Sequence, residues 1–491
     1  MNKYILSIDQ GTTSTRAILF NKKGEPAFKA QKEIVCVFPK SGWVEVDAIQ
    51  IWLSTIDVIN EVLIKSNNTF KNIDSIAITN QRETTVVWEK DTGLPVHNAI
   101  VWQSRQSADI CDKMMDKKEF IHERTGLLIN PYFSASKIRF ILDHIENGQK
   151  RAEKGELLFG TIDTWLLYKL TEGEVHATDV SNASRTMLFN IKEMKWDEDL
   201  CKLFNIPMSM LPEVKPSSGK FGVTTFFPHD IPICGIAGDQ QAALFGQACF
   251  EKGELKNTYG TGCFMLLNVG EEVPLSQNGL LTTVAWQIGD KVTYALEGSV
   301  FIGGAVIQWL RDELKLIKEA KDSEKYAIDC DDDHAIYLVP AFVGLGTPYW
   351  DDDARGAIFG ITRDTNKNHF IRAALESIAY QCKDVFEVMM KDAHVKIKGL
   401  KVDGGATANK YLLQFQSDIL GLKINLPKCL ETTALGVAYL SGLATGFFSS
   451  MQEIKNIHTY QAIYSPKMNK KLVDEKYEGW LKAVNSTRTF K

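Results

Sequence analysis

The stretch "YILSIDQGTTSTRAILFN", residues 4–21, joins two apolar strands through a polar turn of glycine, threonine and serine. The first strand runs into Asp9, so a carboxylate stands at the mouth of an apolar strand. A tight Gly-Thr turn exposes backbone N–H groups and hydroxyl donors with little side-chain bulk, which is what a bound phosphate needs. An ordinary β-hairpin can contain the same turn, so this stretch alone leaves both interpretations open.

Two later stretches have a similar order of elements. "NTYGTGCFMLLNVG", residues 257–270, again predicts strand, Gly-Thr turn and strand, and "LKVDGGATANKYLLQF", residues 400–415, predicts strand, Asp-Gly-Gly and helix. We therefore expect two related domains, 1–248 and 249–491, that face each other across a cleft and hold a triphosphate from both sides. Neither the P-loop pattern nor the G-x-G-x-x-G fingerprint occurs at these turns.

Length and composition limit the class of protein. A chain of 491 residues is too long for one core and predicts two or three domains. The net charge of −5 argues against a nucleic-acid partner. Nine cysteines without a C-x-x-C pair indicate reduced thiols, and no apolar run approaches the roughly 20 residues that span a bilayer. We expect a cytoplasmic protein without a signal peptide or a membrane span.

Alternating strand and helix patterns predict an α/β fold with a mostly parallel or mixed sheet. A helix is expected after Asp47, which is a good N-cap, and another from about residue 369 to 392. Residues 215–230, rich in proline, glycine and serine, predict a surface loop. "SPKMNKKLVDEKYEGW", residues 465–480, predicts a terminal helix on the surface.

Two carboxylates at the ends of apolar strands are candidate metal-binding or catalytic residues. Asp9 adjoins the first Gly-Thr turn, where a nucleotide-bound Mg²⁺ would need one or two carboxylates, although a simple turn aspartate is the alternative. Asp239 follows the apolar strand "ICGIAG" and precedes a helix. There it is either a general base for an attacking hydroxyl or an N-cap, and the pattern leaves these two interpretations about even.

A second group of candidates suits a polyol. Arg82 and Glu83 in "NQRETTVVW", residues 80–88, place a donor and an acceptor side by side, as vicinal hydroxyls require, but a surface ion pair is the alternative. Trp102 and Tyr132 are apolar walls of the kind that pack against C–H faces, and each is equally compatible with an ordinary place in the core.

Taken together, these stretches resemble the FGGY carbohydrate kinase family in the same order from about residue 3 to 445. The two family signatures are recognisable as "YFSASKIRFILDH", which departs from the family at Phe140 where tryptophan is usual, and "GAIFGITRDTNKNHFIRAALE". The other matching stretches are "SIDQGTTSTRAI", "NQRETTVVW", "NAIVWQSRQ", "GIAGDQQAALFGQ", "NTYGTGCFMLLN", "IQWLRDELK", "PAFVGLGTPYWDDDARGAIFGITR" and "VDGGATANKYLLQFQSDIL".

The resemblance implies an actin-like (ribonuclease H-like) fold with ATP in the cleft, and it assigns residues to roles. The polyol hydroxyls would be bound by Arg82, Glu83, Tyr132, Asp239 and Gln240, with Trp102 and Phe264 on the apolar side. Nucleotide phosphates would be held by Thr12, Thr13, Ser14 and Thr261, with Arg16 nearby. The second domain would line the nucleotide site with Gly304, Gln308, Gly405 and Asn409. Asp9 would order Mg²⁺, and Asp239 would be the general base.

The function implied by the resemblance is phosphorylation of glycerol by ATP to sn-glycerol 3-phosphate. The Arg82–Glu83 pair with Trp102 favours glycerol over xylulose, ribulose or gluconate. An actin-like filament or chaperone-type ATPase would need the phosphate turns but gives no reason for this polar and aromatic wall. We also expect a homo-oligomer, a dimer or a tetramer.

Overall fold

One large mixed sheet organises the chain in the computed structural model, which describes residues 3–330, 335–393 and 395–490. Its thirteen strands run in the order β23-β22-β21-β15-β16-β18-β17-β13-β14-β5-β1-β2-β3. The strands of the described residues are β1 Tyr4–Gln10, β2 Ser14–Phe20, β3 Pro26–Glu33, β4 Glu45–Val46, β5 Ile73–Asn80, β6 Val86–Glu89, β7 Ala99–Ile100, β8 Leu157–Gly160, β9 Ala177–Asp179, β10 Phe189–Asn190, β11 Lys195–Trp196, β12 Glu213–Lys215, β13 Ser218–Thr224, β14 Ile231–Gly238, β15 Leu255–Tyr259, β16 Cys263–Gly270, β17 Leu281–Ile288, β18 Lys291–Val300, β19 Tyr337–Val339, β20 Ala357–Phe359, β21 Leu400–Asp403, β22 Ile424–Pro427 and β23 Tyr460–Tyr464.

Helices cover the faces of this sheet. The described α-helices are α1 Ala48–Ser66, α2 Ala108–Asp112, α3 Lys118–Thr125, α4 Ser134–His144, α5 Gly148–Glu153, α6 Ile162–Leu170, α7 Val180–Ala183, α8 Glu198–Leu203, α9 Asp239–Gly246, α10 Ala305–Asp312, α11 Asp322–Ile328, α12 Lys367–Asp392, α13 Lys410–Leu420, α14 Thr432–Thr445, α15 Met451–Ile457 and α16 Lys470–Thr489. As predicted, Asp47 is the N-cap of α1 and accepts a hydrogen bond from the backbone N–H of Ile49. No helix in the described ranges is long and apolar enough to cross a bilayer.

The sheet contains one strand order twice. In the first half the order is β3-β2-β1-β5-β14, and in the second half it is β18-β16-β15-β21-β22. In each half the first three strands pair antiparallel and the last three pair parallel. This duplication confirms the expected α/β fold of two related halves, and it places the loops after β1 and β15 at corresponding positions.

The two halves make their closest helix contact where α9 crosses α14, which also packs on β1, β5 and β14. A Cβ atom added to Gly436 would lie 1.8 Å from the carbonyl oxygen of Ala242, and one added to Gly246 would lie 1.9 Å from that of Thr432. Only glycine permits this approach of two backbones. Because α9 begins at Asp239, this crossing links the candidate base to the second half of the chain.

Two expectations from the sequence are wrong in part. Residues 218–224, inside the predicted loop 215–230, form β13, which pairs with β14 in the large sheet. The terminal helix α16 does not simply lie on the surface, because Trp480 is fully buried and its indole N–H donates to Asp384 on α12. Six of the nine cysteines are buried, and the reduced state of the thiols stays a prediction.

Candidate active site

Two adjacent cavities share a wall at the second Gly-Thr turn, Gly260 and Thr261. The first, of about 170 Å³, is lined by Thr12, Arg82, Glu83, Trp102, Gln103, Tyr132, Asp239, Gln240, Thr258, Gly260, Thr261, Gly262, Phe264 and Phe301. The second, of about 370 Å³, has a lining that includes Gly260, Thr261, Gly304, Gln308, Gly405 and Asn409. A group bound at the shared wall can therefore contact ligands in both cavities.

The polar end of the first cavity rests on four buried charges from distant parts of the chain. Arg82 donates to Glu297 through Nη1 at 2.5 Å and Nη2 at 3.0 Å. Arg185 donates to Glu297 through Nη2 at 2.9 Å and to Glu83 through Nε at 2.6 Å. Burial acts to raise the pKa of Glu297, but Arg185 and Arg82 outweigh it and hold the pKa at about 2. The two positive charges of Arg82 and Arg185 are thus neutralised by the two negative charges of Glu83 and Glu297.

Arg82 and Glu83 are therefore not a surface ion pair, since their side chains are 2% and 1% exposed. The Nε atom of Arg82 lies 3.9 Å from Oε1 of Glu83. Each of these two residues makes a shorter contact with another partner, Arg82 with Glu297 at 2.5 Å and Glu83 with Arg185 at 2.6 Å. Glu83 has a φ of 61°, in the left-handed region that a non-glycine residue rarely adopts. Such strain concentrates at functional sites, where the surrounding structure holds it in place.

Asp239 lies at the start of α9, where Gly238 rather than Asp239 is the N-cap. Its Oδ1 lies 3.2 Å from Nε of Arg82 and accepts the backbone N–H of Gln240 at 2.7 Å. The side chain is 31% exposed because it faces the open cavity. Burial raises the pKa of Asp239, while Arg82 and Lys256 act to lower it. A carboxylate with a raised pKa is a better proton acceptor than an ordinary aspartate, as a general base requires.

Four aromatic residues line the first cavity, namely Trp102, Tyr132, Phe264 and Phe301. The ring of Trp102 packs edge-to-face on Tyr132 at 5.6 Å and on Phe264 of β16 at 6.1 Å, so both halves of the chain contribute to one wall. The indole N–H of Trp102 donates to Oγ1 of Thr12 at 2.9 Å. Because that oxygen accepts from Trp102, the hydroxyl proton of Thr12 is available for a group in the cavity.

The Gly-Thr turns are held open by backbone hydrogen bonds. The N–H of Gly11 donates to the carbonyl of Ser14, and that of Gly260 donates to the carbonyl of Gly262, each at 2.9 Å. A Cβ atom on Gly262 would lie 2.5 Å from the carbonyl oxygen of Val300, so a side chain would force this turn away from β18. Glycine is thus required at position 262 for a close backbone approach.

The residues predicted for the nucleotide in the second half lie together around the second cavity. Gly304 is the N-cap of α10, and Gln308 is on that helix. Asn409 is the N-cap of α13, its side chain accepting the N–H of Leu412 and donating to Ser323. The Gly260–Thr261 turn, the start of α10 and the start of α13 therefore line one cavity, which is large enough to bind a nucleoside.

Asp9 is almost buried and makes an ion pair of 3.7 Å with Arg16. Burial raises its pKa to about 6, with Arg16 opposing and Glu431 and Asp239 adding to the rise. A divalent cation would offset this unmet negative charge. In the described ranges no group of three or more His, Cys, Asp or Glu residues could hold a metal alone. A Mg²⁺ ion held by Asp9 and by phosphates fits this donor set.

Four of the residues predicted for phosphate or metal binding do not line either cavity in this structure. Besides Asp9, these are Thr13, Ser14 and Arg16. Thr13 is exposed in the first turn, while Ser14 is buried at the start of β2. Arg16 on β2 reaches Asp9 and Glu431. Their roles toward a phosphate stay predictions.

Sequence reasoning missed Arg185 and Glu297, which complete the buried charge network. Each is a single charged residue in an apolar or small-residue stretch, "SNASRTMLF" and "VTYALEGSV". A lone charge in such a stretch signals a buried partner, because an isolated buried charge is strongly unfavourable.

Comparison with known proteins identifies the class to which this fold and site belong. Residues 4–246 match the N-terminal domain, and residues 255–445 the C-terminal domain, of the FGGY family of carbohydrate kinases. The chain belongs to this family, which confirms the resemblance inferred from its motifs.

Particular relatives are similar over the full length of the chain. Glycerol kinase of Bacillus licheniformis is 58% identical, with 100% of each chain covered, and glycerol kinase of Fusobacterium nucleatum is 57% identical, with 99% of each covered. The crystal structure of Plasmodium falciparum glycerol kinase with ADP matches with a TM-score of 0.92 and 38% identity, covering 99% of this chain and 98% of that one. These similarities confirm the expected actin-like two-domain fold.

Proposed function

We propose that this chain phosphorylates glycerol at the expense of ATP and releases sn-glycerol 3-phosphate and ADP. One observation carries the proposal: Asp239 faces a small polar and aromatic cavity that shares the Gly260–Thr261 turn with a second, larger cavity. The full-length relatives named glycerol kinase support glycerol as the alcohol.

In the proposed complex, glycerol occupies the first cavity. Arg82, Glu83 and Tyr132 would bind its hydroxyls together with Gln240, and Trp102 and Phe264 would pack on its carbon chain. The cavity continues past Trp102, Tyr132 and Phe264 into a groove of about 360 Å³, so the choice of glycerol rests on the relatives and not on the volume. The buried network behind Arg82 and Glu83 keeps both side chains in fixed positions before glycerol arrives, which limits the entropy lost on binding.

The proposed reaction is an in-line phosphoryl transfer. The terminal hydroxyl of glycerol gives its proton to the carboxylate of Asp239 as its oxygen attacks the γ-phosphorus. The new O–P bond forms while the bond between the γ-phosphorus and the β,γ-bridging oxygen breaks, and ADP leaves with that electron pair. Hydrogen-bond donors of Thr12 and of the Gly260–Thr261 turn would stabilise charge on the transferred group.

The proposed nucleotide site has its adenosine in the second cavity and its phosphates at the two turns. Thr12, Thr13, Ser14 and Thr261 would contact phosphate oxygens, and Arg16 would lie nearby. Asp9 would hold Mg²⁺, which when bound neutralises phosphate charge and orients the triphosphate. Gly304, Gln308, Gly405 and Asn409 would line the nucleoside end of the site.

Two further features complete the proposal. The halves 1–248 and 249–491 would act as the two domains, and their closure would exclude water, since an open site would hydrolyse ATP. We also propose that the protein is cytoplasmic and forms a dimer or a tetramer. Sedimentation equilibrium measures that assembly state, and a single monomeric species across a range of concentrations contradicts it.

The test is ADP release by the purified protein with MgATP, with and without glycerol. We expect turnover that requires glycerol and that exceeds the rate with xylulose, ribulose or gluconate at equal concentration. Preference for one of these sugars would overturn the choice of substrate while leaving the reaction type intact. ADP release that is unaffected by any polyol, with nucleotide-dependent sedimentation of the protein, would indicate an assembly ATPase instead.

A further inference from the structure

Lys256 on β15 is a fully buried lysine directly behind the wall of the first cavity. Its Nζ donates to Oε1 of Gln240 at 2.5 Å, to Oγ1 of Thr258 at 2.8 Å and to the backbone carbonyl of Phe264 at 3.2 Å. An ammonium group has three N–H donors and no acceptor, so these three contacts use its full capacity. All three acceptor residues line the cavity.

These contacts determine which hydrogen-bonding groups of Gln240 and Thr258 remain available to a ligand in the cavity. Because Nζ cannot accept, the amide of Gln240 must turn its oxygen toward Lys256, which leaves its NH₂ group as the donor for other partners. The hydroxyl of Thr258 likewise accepts from Lys256 and keeps its own proton for donation. The same ammonium holds the backbone at Phe264, whose ring is part of the aromatic wall.

Lys256 also contributes charge to the base. The charges of Arg82, Lys256 and Glu297 act on the pKa of Asp239, and the carboxylate of Asp239 in turn raises the pKa of Asp9. Among these groups only Arg82 and Lys256 carry positive charge toward Asp239 and lower its pKa. Burial lowers the pKa of Lys256 itself to about 8, with Asp403, Asp239 and Glu297 opposing.

We propose that Lys256 is a positioning residue of the transfer site, which makes Gln240 and Thr258 hydrogen-bond donors toward the cavity. The inference rests on the proposed function and adds to it a residue that does not itself touch the substrate. The donors that it orients suit the oxygens of a bound alcohol and of the phosphoryl group that it receives.

The test compares Lys256→Met with a matched control, Lys401→Met. Lys401 is the cross-strand partner of Lys256 on β21 and is also buried. Its Nζ donates to the carbonyls of Gln247 and Ala248 and to Glu254, none of which lines either cavity. Both variants therefore remove a buried ammonium group with three acceptors. Only Lys256→Met removes one whose acceptor residues line the first cavity.

We expect Lys256→Met to lower kcat/KM for glycerol about 10- to 100-fold relative to Lys401→Met, because wall acceptors lose their donor. The acid limb of the pH profile of kcat/KM should move to higher pH, because the positive charge of Lys256 no longer lowers the pKa of Asp239. Lys256→Gln, which keeps a neutral donor, should recover part of the glycerol affinity measured by calorimetry but keep the shifted acid limb.

Equal pH profiles and equal glycerol affinity in the Lys256 variants and in Lys401→Met would overturn this inference while leaving the proposed function in place. Failure of the proposed function gives a different result, since the unmodified protein would then show no glycerol-dependent ADP release and no glycerol binding by calorimetry.

Discussion

The Nε atom of Arg82 lies 3.2 Å from Oδ1 of Asp239, and the other two guanidinium nitrogens of Arg82 are bound to Glu297. The candidate base therefore rests against an arginine that is itself fixed from behind by a buried carboxylate. This arrangement orients the carboxylate of Asp239 and offsets the rise in its pKa that burial produces. Arg82 therefore orients the base and, together with Lys256, opposes the rise in its pKa.

Replacing Asp239 with asparagine tests the base directly. Asp239→Asn keeps the size of the side chain but cannot take a proton from glycerol. We expect kcat to fall by roughly 10²- to 10⁴-fold with a modest change in KM, because the lost interaction acts mainly in the transition state. Coupled ADP-release kinetics at saturating MgATP measure both constants.

A matched control for this substitution is Asp47→Asn. Asp47 caps α1 on the other side of the sheet, and asparagine is about as good an N-cap as aspartate. We expect unchanged kinetics in this variant. Turnover of Asp239→Asn within a few-fold of the unmodified protein would remove Asp239 from the role of base.

Glu297→Gln tests the buried charge network. Removing one partner of a buried ion pair costs about 3–5 kcal/mol, so the variant should unfold at lower urea concentration and bind glycerol more weakly. The pKa of Glu297 is held at about 2, below its ordinary value of 4.5. Its stabilisation is therefore complete above pH 4.5 and is lost as the pH falls toward 2, and the variant should lack that part of the acid sensitivity.

The control for Glu297→Gln is Glu475→Gln, which removes an exposed partner of Lys471. Exposed ion pairs contribute little, so urea unfolding of this variant should match that of the unmodified protein. Equal unfolding midpoints for the two variants would show that Glu297 does not stabilise the site in the way its contacts indicate.

Much of the fold follows from local patterns in the sequence. The strand–turn–strand order at the start of each half, the cap at Asp47 and the 26-residue α12 all depend on neighbouring residues, and the structure agrees with them. The strand β13 was mistaken for a loop because its glycines and serine weaken strand propensity. Its place beside β14 in the sheet outweighs that weak local preference.

The site is less accessible to sequence reasoning because its partners are far apart in the chain. Arg82 contacts Glu297 across 215 positions and Gln241 across 159. Spacing rules describe residues a few positions apart and give no register for such pairs. The buried charge of Glu297 was recognisable, but its partners were not, and so the pair Arg82–Glu83 was open to misinterpretation as a surface ion pair.

Gly436→Ala tests the crossing of α9 and α14. The added Cβ atom would lie 1.8 Å from the carbonyl oxygen of Ala242, so the two helices must separate. We expect a loss of stability of about 1–3 kcal/mol or more, and a fall in kcat because α9 carries Asp239 at its first position. Urea unfolding and ADP release measure the two effects.

Gly219→Ala is the matched control, because no atom lies within 4 Å of its added Cβ and its φ is not in the left-handed region. It should change neither stability nor kcat by more than a small amount. A Gly436→Ala protein with the same properties would mean that the helices separate without cost, contrary to the packing between the halves.

Asp384→Asn tests how the terminal helix α16 is attached. Asp384 on α12 is buried and accepts hydrogen bonds from Tyr477 and from Trp480, each at 2.8 Å. Burial raises its pKa from 3.8 to about 7, and the two donors oppose the rise. A raised pKa in the folded state gives stability that is complete below pH 3.8 and is lost as the pH rises through about 7.

Asparagine never ionises and can still bond to both partners, so the variant should escape this loss. We expect the free energy of unfolding of Asp384→Asn to rise, relative to the unmodified protein, by up to about 1.4 kcal/mol per pH unit between pH 5 and pH 7, with little change above that window. Tyr477→Phe removes a donor that favours the ionised carboxylate, which should raise the pKa of Asp384 further. The loss of stability with rising pH should therefore continue to higher pH in Tyr477→Phe than in the unmodified protein. Unfolding curves that stay parallel across this range would mean that Asp384 is ionised in the folded protein and that its two donors, rather than burial, determine its charge.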